Sequence, residues 1–117
     1  LLGHAREMAL GSGLRAHIDL ASVPFLPQVE ALAASGFITG ASSRNWSGYG
    51  QDVTLASNIS EIQKALLCDP QTSGGLLVAC ATDSVDQVLS LFHAQGFAQA
   101  AVVGELGAGK PGIDITT

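Results

Sequence analysis

Apolar residues recur along the chain with two different periods, and these periods predict its strands and helices. Residues 14–20 alternate strictly between apolar and polar side chains, which predicts a half-buried strand with one polar face. Residues 76–80 form a continuous apolar run, which is typical of a strand buried on both faces. Residues 85–92 carry apolar side chains at helical spacing and predict the clearest helix of the chain.

Three shorter helices are predicted, and the last of them opens with a recognisable cap. They cover residues 1–9, 28–35 and 60–67, and Ser60 with Gln63 has the spacing of a capping box. Residues 37–54 show no sustained period and contain several glycines. They are therefore predicted to be a long loop, and loops of this length in a compact domain are usually functional or mobile.

The C-terminal third of the chain predicts the arrangement of the sheet. A strand at 100–106 completes a β-α-β unit with residues 76–80. Gly104-x4-Gly109-Lys110 has the spacing of the start of a phosphate-binding loop, but Pro111 stands where the hydroxyl residue is needed. Residues 107–112 are therefore predicted to be a hairpin turn. Residues 113–116 then form a final edge strand. The order of elements predicts an α/β (α+β) fold with a mixed sheet, in one domain spanning residues 1–117.

The composition and net charge of the chain indicate which kinds of partner it can have. Only 13% of residues are charged, against 47% hydrophobic, which indicates that another domain covers part of the surface. The net charge of −5 and the scattered basic residues argue against a nucleic-acid partner. No run of residues approaches the length of a membrane span, so no membrane association is expected. Cys68 and Cys80 are interpreted as buried thiols in a reducing, cytoplasmic compartment.

The stretch from Asp69 to Gly75 has the most distinctive local chemistry. Pro70 ends the preceding helix, and Gly74-Gly75 permits positive φ and close approach to the bare backbone. Two interpretations follow from the spacing: a stiff helix-to-strand connection, or an anion-binding loop of backbone N–H groups and hydroxyls.

The order of residues in this stretch favours a functional role. Asp69–Gly75 reads Asp-Pro-Gln-Thr-Ser-Gly-Gly and closely resembles a signature of the selenophosphate synthetases (selenide, water dikinases), within the aminoimidazole-ribonucleotide-synthetase-like superfamily. Leu1-Leu2-Gly3-His4 resembles the end of another motif of that family. Arg44-Asn45, with Tyr49-Gly50, resembles its Arg-Asn loop. The three matches fall in the family's order and span most of the chain.

The resemblance implies that the chain is the C-terminal domain of a longer two-domain enzyme, folded as a three-layer sandwich. Such an enzyme makes selenophosphate from selenide, ATP and water, and releases AMP and phosphate. Its partners would be its own N-terminal ATP-binding domain and a second subunit, in a cytoplasmic homodimer. Mg²⁺ and ATP would be bound by the full-length enzyme and not by residues 1–117 alone. The catalytic residues and the metal-binding aspartate are expected upstream of Leu1, so no catalytic or metal-binding residue is predicted here.

Six residues are candidates for facing the substrate or the other domain: Arg44, Asn45, Thr72, Ser73, Gly74 and Gly75. The guanidinium of Arg44 and the amide of Asn45 suit an anionic substrate.

Two alternatives for the function of the chain stay open. One is another enzyme of the superfamily, such as a thiamine-phosphate kinase or a hydrogenase-maturation protein. The other is a stand-alone small-molecule binding module.

Overall fold

The computed structural model describes all 117 residues and contains five α-helices and four β-strands. In chain order they are α1 (Leu2–Ser12), β1 (Arg15–Asp19), α2 (Val29–Ala34), α3 (Gly40–Tyr49), β2 (Val53–Leu55), α4 (Glu61–Leu67), α5 (Val85–Ala94), β3 (Gly104–Gly107) and β4 (Gly112–Thr116). The predicted capping box of α4 is present, with Ser60 and Gln63 bonded reciprocally. No helix combines the length and the apolar character that a bilayer crossing requires.

The four strands form one mixed sheet in the order β2-β4-β1-β3. β4 runs parallel to both β1 and β2, whereas β3 is antiparallel to β1. The α/β class with a mixed sheet is thereby confirmed. The expectation that 113–116 is an edge strand is wrong, because β4 lies between β1 and β2. There the side chains of Ile113 and Ile115 are fully buried.

The connection from β3 to β4 is not the predicted hairpin turn, because β1 lies between these two strands. Gly107 and Gly112 both lie opposite Arg15, so the connection passes around the N-terminal end of β1. Arg15 fixes it there: its Nη1 donates to the Lys110 carbonyl at 3.1 Å and its Nε to Asp114 Oδ2 at 2.6 Å.

The two faces of the sheet differ in character, as the alternation in residues 14–20 predicts. Helix α1 packs against β1 and β4, and the core lies between them. Its apolar residues include Leu2, Ala5, Ala16, Ile18, Leu67, Ile113 and Ile115. The opposite face carries a row of polar residues, one from each strand: Thr54, Asp114, His17 and Glu105.

The long loop predicted at 37–54 is wrong, because most of it is helical. Helix α3 covers Gly40–Tyr49, and a 3-10 turn at Gly50–Asp52 leads into β2. Its sequence is rich in glycine and serine, which have poor helix propensity. Trp46 and Tyr49 pack against the apolar core, so tertiary contacts stabilise this helix where local propensity does not.

The strand predicted at 76–80 is also wrong. The segment belongs to no strand, and the side chains of Leu76 and Val78 are 86% and 51% exposed. A strand buried on both faces needs neighbouring strands and two covering layers, and β3 pairs only with β1. The strand predicted at 100–106 begins only at Gly104, although the Val103 carbonyl accepts a hydrogen bond from the Asp19 N–H at 3.0 Å.

Candidate functional site

The stretch Asp69–Gly75 forms a tight loop that begins where α4 ends. The Asp69 carboxylate accepts hydrogen bonds from the Gln71 N–H at 3.2 Å and from the Thr39 hydroxyl at 3.4 Å. Gln71 has a left-handed backbone, with φ of 49°, and its carbonyl accepts from the Gly74 N–H at 2.9 Å. The start of the loop is therefore shaped by Asp69 and by one tight turn.

The second half of the loop faces solvent. All four predicted site residues here are exposed: Thr72, Ser73, Gly74 and Gly75. A Cβ at Gly74 would lie 3.0 Å from the Gln71 carbonyl oxygen, so a side chain at this position would crowd the turn. A Cβ at Gly75 would have no heavy atom within 4 Å, so the fold leaves open space there. The two glycines thus differ, since only Gly74 is closely surrounded by its own loop.

The Arg44-Asn45 pair lies on α3, and its two side chains point to different surroundings. Asn45 Nδ2 donates to the Cys68 carbonyl at 2.8 Å, which joins α3 to the end of α4. Arg44 is exposed and forms no hydrogen bond or ion pair with another side chain, so its guanidinium is free to bind an anion.

A shallow cavity of about 280 Å³ joins three parts of the chain that the resemblance singled out. It is lined by Leu1, Gly3, His4, Arg6, Glu7, Asn45, Tyr49, Asp69 and Pro70. The structure therefore brings Asn45 together with the start of α1 and the start of the loop. Arg44 and residues 72–75 do not line this cavity.

The titratable groups around Asn45 are held in neutral or paired forms. Burial raises the pKa of the Tyr49 hydroxyl far above its usual range, and burial also raises the pKa of the Cys68 thiol, against the effect of the nearby Tyr49. Arg6 Nε is paired with Asp52 Oδ2 at 2.6 Å. These groups are suited to hydrogen bonding and orientation, and the neutral thiol is a poor nucleophile.

Tyr49 and Cys68 belong to this site, although the sequence interpretation gave neither a role in it. Asn45 and Tyr49 are four residues apart, the spacing that places two side chains on one helical face. That signal is present in the sequence, but it has meaning only once residues 40–49 are known to be a helix. No three histidine, cysteine or acidic side chains converge to hold a metal ion.

Comparison with known proteins agrees with the motifs. The family described as "AIR synthase related protein, C-terminal domain" matches residues 1–115. The selenide, water dikinase of Pseudomonas straminea is 59% identical over 111 residues, which are 95% of this chain and 31% of that protein. The one from Burkholderia ambifaria is 54% identical over 115 residues, 98% of this chain and 32% of that protein. The one from Rhizobium meliloti is 46% identical over 115 residues, 98% of this chain and 33% of that protein.

These relatives confirm the resemblance inferred from residues 69–75, because the matches extend over almost the whole chain. The chain spans about a third of the length of the curated relatives it matches.

Proposed function

The chain belongs to the AIR synthase related proteins as their C-terminal domain, and on this basis we propose that it is the C-terminal part of a selenide, water dikinase. The full-length enzyme would make selenophosphate from selenide, ATP and water, releasing AMP and phosphate. The observation that carries the proposal is the identity of 46–59% to proteins of that name over nearly all of this chain. Its partners would be its own N-terminal ATP-binding domain and a second subunit, in a cytoplasmic homodimer.

Within that enzyme, this domain would shape and close the active site and would not carry the chemistry. The neutral groups around Asn45 and the exposed loop support such a supporting role. Mg²⁺ and ATP would be held by the N-terminal domain of the full-length enzyme, as the family resemblance implies.

The loop Asp69–Gly75 would bind an anion through its own hydrogen-bond donors and not through a helix dipole. It follows the C-terminal end of α4, where the partial charge of the helix is negative and disfavours anions. Exposed N–H groups and the hydroxyls of Thr72 and Ser73 are the local donors, and the free guanidinium of Arg44 is a further one.

The loop's role is tested in the full-length protein with the double variant Ser73→Ala, Gly75→Val. Gly75 has open space around it, so the variant keeps the fold and alters only the exposed surface. We expect selenide-dependent AMP release to fall by about tenfold or more, as for loss of transition-state hydrogen-bond donors, with the melting temperature unchanged. Ser57→Ala, at an exposed turn serine before α4, is the matched control.

Unchanged turnover in the double variant would show that the loop is only a connection. We also expect residues 1–117 alone to be inactive, and selenide-dependent AMP release from this purified chain would contradict the supporting role.

A further inference from the structure

We infer that Asn45 is a positioning residue, which holds the loop Asp69–Gly75 in place through the carbonyl of Cys68. The bond from Asn45 Nδ2 to the Cys68 oxygen is 2.8 Å long and joins residues 23 positions apart. Cys68 is the last residue before the loop and is 1% exposed. The amide is therefore engaged with the backbone next to the loop.

The Cys68 carbonyl needs such a partner. Helix α4 ends at Leu67, and the last carbonyls at a helix end accept no hydrogen bond from an N–H of the same helix. A buried carbonyl at this place is costly when unpaired, because water cannot reach it. Asn45 satisfies this group and at the same time fixes the direction in which the chain leaves α4.

A single face of α3 holds the end of α4 at several points. Tyr49, one turn beyond Asn45, lies beside the Cys68 thiol and packs on the core. The ring of Trp46 lies under the Lys64 ammonium, 5.1 Å from the ring centroid. Because these contacts fix α3 against α4, the Asn45 amide is held in position relative to Cys68.

The position of the Cys68 carbonyl also determines where the loop begins. Asp69 is the next residue, and its carboxylate shapes the turn by accepting from the Gln71 N–H and the Thr39 hydroxyl. A shift of the Cys68 carbonyl moves Asp69 and weakens both bonds. Loss of the Asn45 donor is therefore expected to loosen the loop while the sheet stays ordered.

The test uses Asn45→Ala and Asn45→Asp in the full-length protein, with hydrogen exchange measured by mass spectrometry. In Asn45→Ala the hydrogen-bonded backbone amides of the loop, those of Asp69, Gln71 and Gly74, should exchange about tenfold faster, as expected for one lost hydrogen bond to a buried group. In Asn45→Asp they should exchange faster still, because a carboxylate repels the carbonyl oxygen. Peptides from β1 and β4 should be unchanged. Ser47→Ala is the matched control, since Ser47 is exposed on the same helix and donates only to the Ser43 carbonyl.

Activity gives a second readout, and this one rests on the proposed function. A positioning role predicts that kcat for selenide-dependent AMP release falls more than KM for ATP rises. Unchanged exchange at 69–75 in Asn45→Ala would overturn the inference, and so would equal acceleration in β1 and β4, which indicates a general loss of stability. If the loop alone loosens but the wild-type protein shows no selenide-dependent reaction, the positioning role is supported and the dikinase proposal fails.

Discussion

Gly104 provides the sharpest test of the β1–β3 pairing. It lies opposite Ile18 in the antiparallel register. A Cβ at Gly104 would lie 2.9 Å from both the carbonyl carbon of His17 and the Cα of Ile18, and closer still to the carbonyl oxygen of His17. These are backbone atoms of a central strand, so they cannot move aside as the end of a side chain can. Gly104→Ala must therefore push β3 away from β1.

The cost of this substitution follows from two contributions. Overpacking against a rigid neighbour costs about 2 kcal/mol. Displacing β3 also loosens adjacent hydrogen bonds, such as that from the Asp19 N–H to the Val103 carbonyl, and each contributes about 1 kcal/mol. We expect a loss of about 3 kcal/mol in the free energy of unfolding, which corresponds to a melting temperature lower by about 12 °C for a domain of this size.

Gly107→Ala in the same strand is the matched control. A Cβ there would lie 3.7 Å from the His17 ring, an ordinary contact. The free energy of unfolding of Gly107→Ala should stay within about 0.5 kcal/mol of the wild-type value, because alanine also reduces the conformational entropy of the unfolded chain. Urea denaturation of the 117-residue chain, followed by the fluorescence of its single tryptophan, Trp46, measures both variants. Equal, small effects of the two substitutions would refute the register between β1 and β3.

Two further predictions concern titratable groups. The hydrogen bond from Arg15 lowers the pKa of Asp114 in the folded protein. The Arg15–Asp114 pair therefore stabilises the fold fully above the pKa of about 4 that an aspartate has in the unfolded chain. This stabilisation is lost as the pH falls through the lower pKa of the folded state. Asp114→Asn should flatten the fall of the melting temperature below about pH 4, and an unaltered pH profile would show that the pair contributes nothing to acid sensitivity. The prediction that both thiols are buried is wrong for Cys80, which is exposed. Cys68 is buried with a raised pKa, so Cys80 should react at once with a disulfide reagent and Cys68 only after unfolding. Two fast thiols in the native protein would contradict the burial of Cys68.

Much of the fold follows from local patterns, but the arrangement of the sheet does not. β1 and the capped start of α4 were predictable because alternation and the capping box are signals within a few residues. The central place of β4 depends on parallel pairing with β1, about a hundred residues away in the sequence. Nothing within residues 113–116 distinguishes an edge strand from a central one.

Helix α3 shows why the sequence predicted Asn45 as a site residue but did not predict its hydrogen-bond partner. Its glycines and serines hide the helix, so residues 40–49 were interpreted as a loop. Asn45 was predicted as a site residue from the family's motif, but its bond to Cys68 joins distant positions and is visible only in the folded chain. The order of residues in Asp69–Gly75 identified the family. The difference between the crowded Gly74 and the open Gly75 depends on the atoms around them, which only the folded structure shows.

The proposed function places this domain in an enzyme that makes selenophosphate. Phosphorus NMR of the full-length protein with ATP, Mg²⁺ and selenide under anaerobic conditions tests it most directly. We expect AMP, phosphate and a selenophosphate signal, all three dependent on selenide. ATP consumption that ignores selenide, or that yields ADP and a different phosphorylated product, would contradict it.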